Sequence, residues 1–121
     1  MPARLTFPKS HRLRSRNDFN AVYDAKVRET RGPLTVYGRP NGLPHNRIGI
    51  STSRKVGIAA RRNRIRRLLR ESFRQLQHEL PAGYDLLVIV RAHEPLALAE
   101  YQQMVTTILT KLDGRWRSRN A

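Results

Sequence analysis

Seven arginines and a single carboxylate, Glu71, fall within the stretch AARRNRIRRLLRESFR, residues 59–74. Cations at helical i,i+4 spacing repel one another and destabilise a helix. A bound polyanion would offset that cost, and guanidinium forks suit bidentate contact with phosphate oxygens. Other chemistries find little support. A two-metal nuclease needs several carboxylates converging on its ions, and the nine acids are scattered without a compact ligand motif. His11, His45, His78 and His93 lie far apart and lack ligand spacing. A mechanism through two distant histidines is compatible with the sequence, but nothing in it points that way. Neither a P-loop nor a GxSxG elbow occurs, and KVGIAARRN, with one glycine, is no phosphate-cradling loop. The expectation is a protein without catalytic residues or metal ligands of its own.

The totals agree with a binding role. The chain has 121 residues, enough for one domain with a single core, and a net charge of +15 from 24 basic and 9 acidic side chains. Such a field attracts nucleic acid or an anionic membrane surface. Twenty of the basic residues are Arg and four are Lys, a bias that phosphate contact and genome composition explain equally. Cysteine is absent, which excludes disulfides, thiolate metal sites and Cys nucleophiles. The N-terminus, MPARLTFPKSHRLRS, lacks the apolar core of a secretion signal. The longest strongly apolar run, LLVIV at 86–90, is too short to span a bilayer. A soluble, cytoplasmic protein is expected.

The elements that must position these residues follow from periodicity. Residues 1–14 read as a basic, extended segment. Ser15 with Asp18 three residues on resembles a capping box and opens a helix over about 15–25, with Phe19, Val22 and Tyr23 on one face. Strands are expected near 27–31, 33–39 and 47–53, the last two separated by the turn residues PNGLPHN. Leu34, Val36, Ile48 and Ile50 should face the core. Thr35, Tyr37, Gly49, Ser51 and Ser53 form an opposite face of small polar residues around an aromatic, expected to be accessible. A helix over about 58–79 carries an apolar stripe of Ile65, Leu68, Leu69, Phe73 and Leu76. A strand buried on both faces follows at 85–91, then a helix over 96–112 and a frayed basic tail, 113–121. The order α-β-β-β-α-β-α implies an α+β sandwich of helices on a small sheet.

On the second of these helices, Asn63, Arg66, Arg67, Arg70 and Arg74 project opposite the apolar stripe. Arg61 and Arg62 sit at its N-terminal end, where free N–H groups and the helix dipole also favour anions. A solvated face usually mixes signs, and here only Glu71 supplies a negative charge. DNA and RNA are both compatible with this face. Strands rather than a helical pair precede it, which fits a helix-turn-helix poorly, whereas backbone recognition of a structured RNA needs no groove-reading motif. A membrane-surface helix is the weakest option, because the stripe already has strands to pack on.

One stretch is more specific than composition. SRKVGIAARRNRIRRLLRESFR (53–74) resembles the signature of the bacterial ribonuclease P protein subunit: a Ser/basic–Val–Gly lead-in, an Ala, then Arg-Asn and a basic–apolar–basic–basic run. RLRSRNDFNAVYDAKVR resembles the family's first helix, and YDLLVIVRAHEP the strand after its Arg helix, so the likeness spans roughly residues 5–112. The resemblance implies a protein that binds a catalytic RNA and assists Mg²⁺-dependent removal of the 5′ leader from precursor tRNA. On that resemblance the RNA is expected to hold most of the Mg²⁺ and to perform the hydrolysis. It implies a catalytic-RNA interface at Arg62, Asn63, Arg64, Arg66, Arg67 and Arg70, beside which Arg61 and Arg74 extend the charged face. It also implies a leader cleft between the first helix and the open sheet face, with Phe19, Tyr23, Tyr37, Ser51, Arg54, Lys55 and Arg91. By periodicity alone Phe19 and Tyr23 belong to the core. A left-handed βαβ crossover is implied too, against the general rule. Tyr23 where another aromatic is frequent, and RGP at 31–33, depart slightly from the pattern. A ribosomal-type RNA-binding protein and a stand-alone nuclease are the alternatives.

Overall fold

The computed structural model describes residues 9–119, in the order α1 (Arg16–Asp24), β1 (Arg28–Arg31), β2 (Leu34–Pro40), β3 (Arg47–Thr52), α2 (Ala59–Leu76), β4 (Tyr84–Val90) and α3 (Leu98–Arg119). Short 3-10 turns at Lys9–His11 and Arg54–Val56 precede α1 and α2. The α+β order is the expected one. Ser15 caps α1 as its spacing predicts, its Oγ accepting the Asp18 N–H at 3.0 Å. By contrast α2 begins after Ile58 with no side-chain cap.

The four strands form one mixed sheet in the order β1-β2-β4-β3. β2 pairs antiparallel with β1 and β4, whereas β3 runs parallel to β4, so α2 is the crossover between two neighbouring strands. Period-2 alternation then sorts the side chains. One face presents Leu34, Val36, Ile48, Leu86, Val88 and Val90 to α2 and α3, where Ile65, Leu69, Phe73, Tyr101, Val105, Ile108, Leu109 and Leu112 complete the main core. Leu68, Leu76 and Ile50 lie at its margin, partly buried.

The opposite face is less open than its composition suggests. Tyr37 and Leu87 are buried there with Leu13 and Val22, and Phe19 and Ile89 pack at the edge. A helix and an N-terminal strap thus cover half of a surface expected to be accessible, adding a partial third layer to the sandwich. The strap itself, within the described residues 9–14, is not a free extension. Leu13 donates its N–H to Ile48 O at 3.0 Å, and Arg12 bridges Ile48 in parallel fashion. The rest of the expected N-terminal extension, residues 1–8, lies outside the described residues.

The C-terminal tail also differs from expectation: α3 continues to Arg119 instead of fraying after 112. Side chains anchor its last turns. Trp116 Nε1 donates to Gly38 O at 2.9 Å, and Arg115 Nη1 donates to Arg28 O at 2.6 Å while facing Glu29. An aromatic docked on the sheet holds a basic helix end that propensity alone would let unwind. Residues 120–121 lie outside the described residues.

Polar side chains tie the strand ends. Asp85 accepts from Arg47 Nε at 2.7 Å, Arg47 Nη2 at 2.5 Å and Asn41 Nδ2 at 3.0 Å. Asn46 links Pro81 O to the Tyr84 N–H. The turn residues of PNGLPHN therefore clamp the start of β3 to the start of β4. Removing one charge from this buried clamp leaves Arg47 poorly compensated, so Asp85→Asn should cost about 2 kcal/mol in urea unfolding; an unchanged midpoint would show the clamp to be dispensable.

The strap carries a titratable contact. The His11 and His45 rings stack at 4.0 Å between centroids, and burial followed by the neighbouring His45 lowers the His11 pKa from 6.5. A depressed folded value means that the unfolded chain binds its proton first as pH falls. The strap's contribution is therefore fully present above about pH 6.5 and is lost as pH drops through the lower folded value. An NMR titration should place the His11 midpoint below 6.5; a midpoint above it would contradict the stacked pair.

Candidate nucleic-acid interface

The apolar stripe of α2 is committed to the main core, which fixes where the arginines point. Asn63, Arg66, Arg67, Arg70 and Arg74 line an open groove of about 410 Å³, with Glu71 among them and Arg12 reaching in from the strap. Burial, then the nearby Arg12 and Arg66, push the Arg70 pKa below its usual value. Burial is the larger cause and the neighbouring guanidinium groups add to it; a bound phosphate would relieve that second, repulsive part.

Not every arginine contributes freely. Arg74 binds Glu71 through two hydrogen bonds, and Gln75 adds a third, so that Arg74 first and Gln75 second hold the Glu71 carboxyl down at about 2. The one acid of the stretch neutralises the C-terminal end of the face and leaves the N-terminal part cationic. Arg61 points away, toward Glu94 at 3.4 Å and against Gly57. Arg64 lies on the α3 side, near enough to the Tyr101 hydroxyl to influence it. Arg62 is half-buried, with its Nε lacking a hydrogen-bond partner. The groove therefore gathers five of the eight residues expected on this face.

The aromatic cleft lies on the other side of the sheet. Strand register sets out that face in lateral rows: Arg28, Tyr37, Leu87 and Gly49 form one, and Thr30, Thr35, Ile89 and Ser51 the next. α1 lies over the first row. Phe19 sits on the bare backbone of Gly49, and Tyr23, one turn on, lies against Tyr37 with ring centroids 4.9 Å apart. The second row stays open beside α1. Phe19, Ser51, Thr52, Leu87, Ile89, Ile50 and Arg66 line a cleft there of about 400 Å³. Tyr23 and Tyr37 line a second hollow of about 320 Å³ with Lys26 and Arg28.

The aromatics divide by role. Tyr37 is 6% exposed, and its hydroxyl accepts from Arg28 Nη1 at 3.0 Å, so it supports the cleft from beneath. Tyr23 is 52% exposed and offers a ring face. Arg54, Lys55 and Arg91 line neither hollow. They gather at the sheet end where Thr52 pairs with Val90, and Arg91 is tied to Gly32 O at 2.6 Å.

Spacing did not reveal Arg12, Lys26, Arg28, Thr52 or the structural need for Gly49. Thr52 lines the end of the cleft, but its Oγ1 is buried without a hydrogen-bond partner on the strand face it shares with Ile48 and Ile50, away from Ser51. Pairing register brings Arg28 and Gly49 into the row of Tyr37, whereas the strap carries Arg12 to the α2 groove on the other side. Arg66 lines both the α2 groove and the Phe19 cleft, although its helical position suggested the former alone.

Three histidines, distant in sequence, meet at a small pocket of about 110 Å³: His11, His45 and His78, among Ile48, Phe73 and Leu80. General acid and base must flank a phosphate, and His11 and His45 instead lie ring on ring. Among the described residues no three His, Asp or Glu side chains gather as a metal-binding group, and no helix is long and apolar enough to cross a membrane.

A Cβ at position 49 would stand 2.3 Å from Phe19 Cε1. Gly49→Ala should therefore displace the ring and destabilise the fold by about 1–3 kcal/mol, as overpacking does. In urea unfolding the double variant Phe19→Ala/Gly49→Ala should be no less stable than Phe19→Ala alone, because the clash has gone. Simple additivity would place the cost elsewhere.

Comparison with known proteins agrees with this architecture. The sequence profile of the family described as Ribonuclease P matches residues 7–113. A ribonuclease P protein component from Edwardsiella ictaluri is 47% identical over 89 residues, covering 73% of this chain and 74% of that one. Another from Proteus mirabilis is 42% identical over 115 residues, covering 94% and 91%. The solved RNase P protein of Thermotoga maritima superposes with a TM-score of 0.75 at 31% identity, covering 83% of this chain and 96% of that one. An RNase P protein mutant from Staphylococcus aureus gives 0.77 at 29% identity, covering 87% and 90%. With the central motif, the strand order and the overall fold in agreement, the chain belongs to the bacterial ribonuclease P protein family.

Proposed function

We propose that this chain binds the catalytic RNA of ribonuclease P through the α2 groove and the 5′ leader of precursor tRNA in the Phe19 cleft. In that role it assists Mg²⁺-dependent endonucleolytic removal of the leader, in the cytoplasm, with the RNA partner holding the metal ions and performing the hydrolysis. The observation that carries this reading is the presence of two chemically different surfaces meeting at Arg66. One is a groove of guanidinium groups suited to the phosphates of a folded RNA. The other is a cleft of aromatic rings and small hydroxyls suited to unstacked, single-stranded bases. A structural RNA-binding protein of ribosomal type needs the first and has no use for the second.

Each side chain then has a physical task. Arg67 and Arg70 neutralise backbone phosphates of the catalytic RNA. Phe19 and Tyr23 offer ring faces to leader bases, with Gly49 and Tyr37 fixing their positions. Ser51 supplies a hydroxyl along the cleft floor. Arg54, Lys55 and Arg91 add positive charge where the leader passes the end of the sheet. Arg66 stands between the two RNAs.

Reconstitution tests the reading. Purified chain, a bacterial ribonuclease P RNA and precursor tRNA are combined at low Mg²⁺, each component being omitted in turn. Cleavage should need the RNA and be stimulated by the chain; cleavage by the chain alone would overturn the assignment. Phe19→Ala should weaken precursor-tRNA binding by about 1–3 kcal/mol and leave mature-tRNA binding almost unchanged. Arg67→Ala should weaken assembly with the catalytic RNA instead, and lower the log–log salt dependence by about 0.7–0.9 for each phosphate no longer neutralised. Equal losses for precursor and mature tRNA in the Phe19 variant would remove the cleft from the account.

A further inference from the structure

The family match ends at residue 113, yet α3 continues as a docked helix to Arg119. Its last turns are held by Trp116 on Gly38 O and by Arg115 on Arg28 O, so they form part of the folded body. They enclose an open groove of about 560 Å³ lined by Lys111, Arg115, Ser118 and Arg119, with Glu29 on the β1 side and the bare backbone of Gly114 between them. Arg115 faces Glu29 at 3.5 Å and Arg117 holds Asp113 at 2.9 Å, which accounts for both acids. Lys111 and Arg119 are exposed, and Arg119 lies over the Trp116 ring at 5.1 Å.

This groove lies at the opposite edge of the sheet from β3 and α2, and it adjoins the aromatic surface. Arg28 lines the hollow of Tyr23 and Tyr37, and the carbonyl of the same residue holds Arg115, which lines the α3 groove. Register shows how the two meet. Arg28 shares the cleft face with Tyr37, while its neighbour Glu29, paired with Val36, faces α3. A strand crossing the cleft past Tyr23 therefore meets Lys26 and Arg28 at the β1 edge and then the cations of α3. Among the described residues no element intervenes in the register, and the one acid at the turn, Glu29, is paired with Arg115.

We propose that the C-terminal turns of α3 form a distal binding site for single-stranded RNA, taking phosphates of the precursor leader beyond those in the Phe19 cleft. The site extends the leader path around the β1 edge and rests on the leader reading given above. Lys111 and Arg119 contact phosphates, Ser118 donates a hydroxyl hydrogen bond, and Gly114 lets the backbone of the nucleic acid approach the helix. The chemistry is sequence-independent, because the groove presents cations and a hydroxyl and no base-reading pattern.

The experiment is a leader-length series. Holoenzyme reconstituted with wild-type chain or with Lys111→Glu/Arg119→Glu binds precursor tRNAs whose leaders are lengthened stepwise. Both substituted residues are exposed, and circular dichroism and urea unfolding check that the variant folds. For wild type, affinity should rise with short leaders and rise again once the leader is long enough to turn the β1 edge. The variant should keep the first rise and lose the second. Its long-leader salt slope should fall by about 0.7 for each single-strand phosphate that the groove no longer neutralises. Superimposable length profiles would overturn the distal site. So would a loss equal for mature tRNA and all leaders, or weaker assembly with an unchanged profile, since both would assign the groove to the catalytic RNA. A wild-type profile without any leader dependence would sink the cleft itself, a result distinct from losing only the second rise.

Discussion

β4 is buried on both faces, and that constraint organises the molecule. Leu86, Val88 and Val90 face α2 and α3, while Leu87 and Ile89 face α1 and the strap. A central strand so placed needs partners on both edges and cover on both sides. β2 and β3 supply the edges with opposite polarity, and the parallel member requires a crossover, which is α2. Placing the arginine helix there turns its apolar stripe to the sheet and its charged face outward. The basic groove is thus a consequence of how β4 is enclosed.

The same constraint produces the cleft. α1 is short, and it covers only the row containing Tyr37, Leu87 and Gly49. The next row, with Ile89 and Ser51, stays open. Had position 49 carried any side chain, Phe19 would have to stand off the sheet. One glycine lets an aromatic ring lie on strand backbone, pack at its edge and present surface to a ligand. Burial and exposure are shared within one side chain, which explains why periodicity assigns Phe19 to the core and the cleft geometry gives it a second role.

Charge is distributed by the same few contacts. Glu71 neutralises Arg74, and Glu94 faces Arg61, which leaves the cations between them concentrated on Arg66, Arg67 and Arg70. The strap adds Arg12 to that cluster. Such an arrangement raises the internal repulsion of the folded chain, and a polyanion relieves it.

The elements, their order and the two faces of α2 were legible in the sequence, because 3.6- and 2-residue periodicities report local burial directly. The arginine-asparagine motif was legible too, since its chemistry is contiguous. Other features depended on contacts between residues far apart in sequence. Tyr37 became buried because α1 and Leu13 fold over it; Arg66 came to face two surfaces because the edge of β3 lies beside α2; and the basic tail stayed helical because Trp116 found the carbonyl of Gly38. By itself, then, the sequence determined which residues are apolar, which are charged and which share a helical face. The tertiary structure alone decided which of those faces meet, since pairing register and packing are long-range properties that no local period encodes.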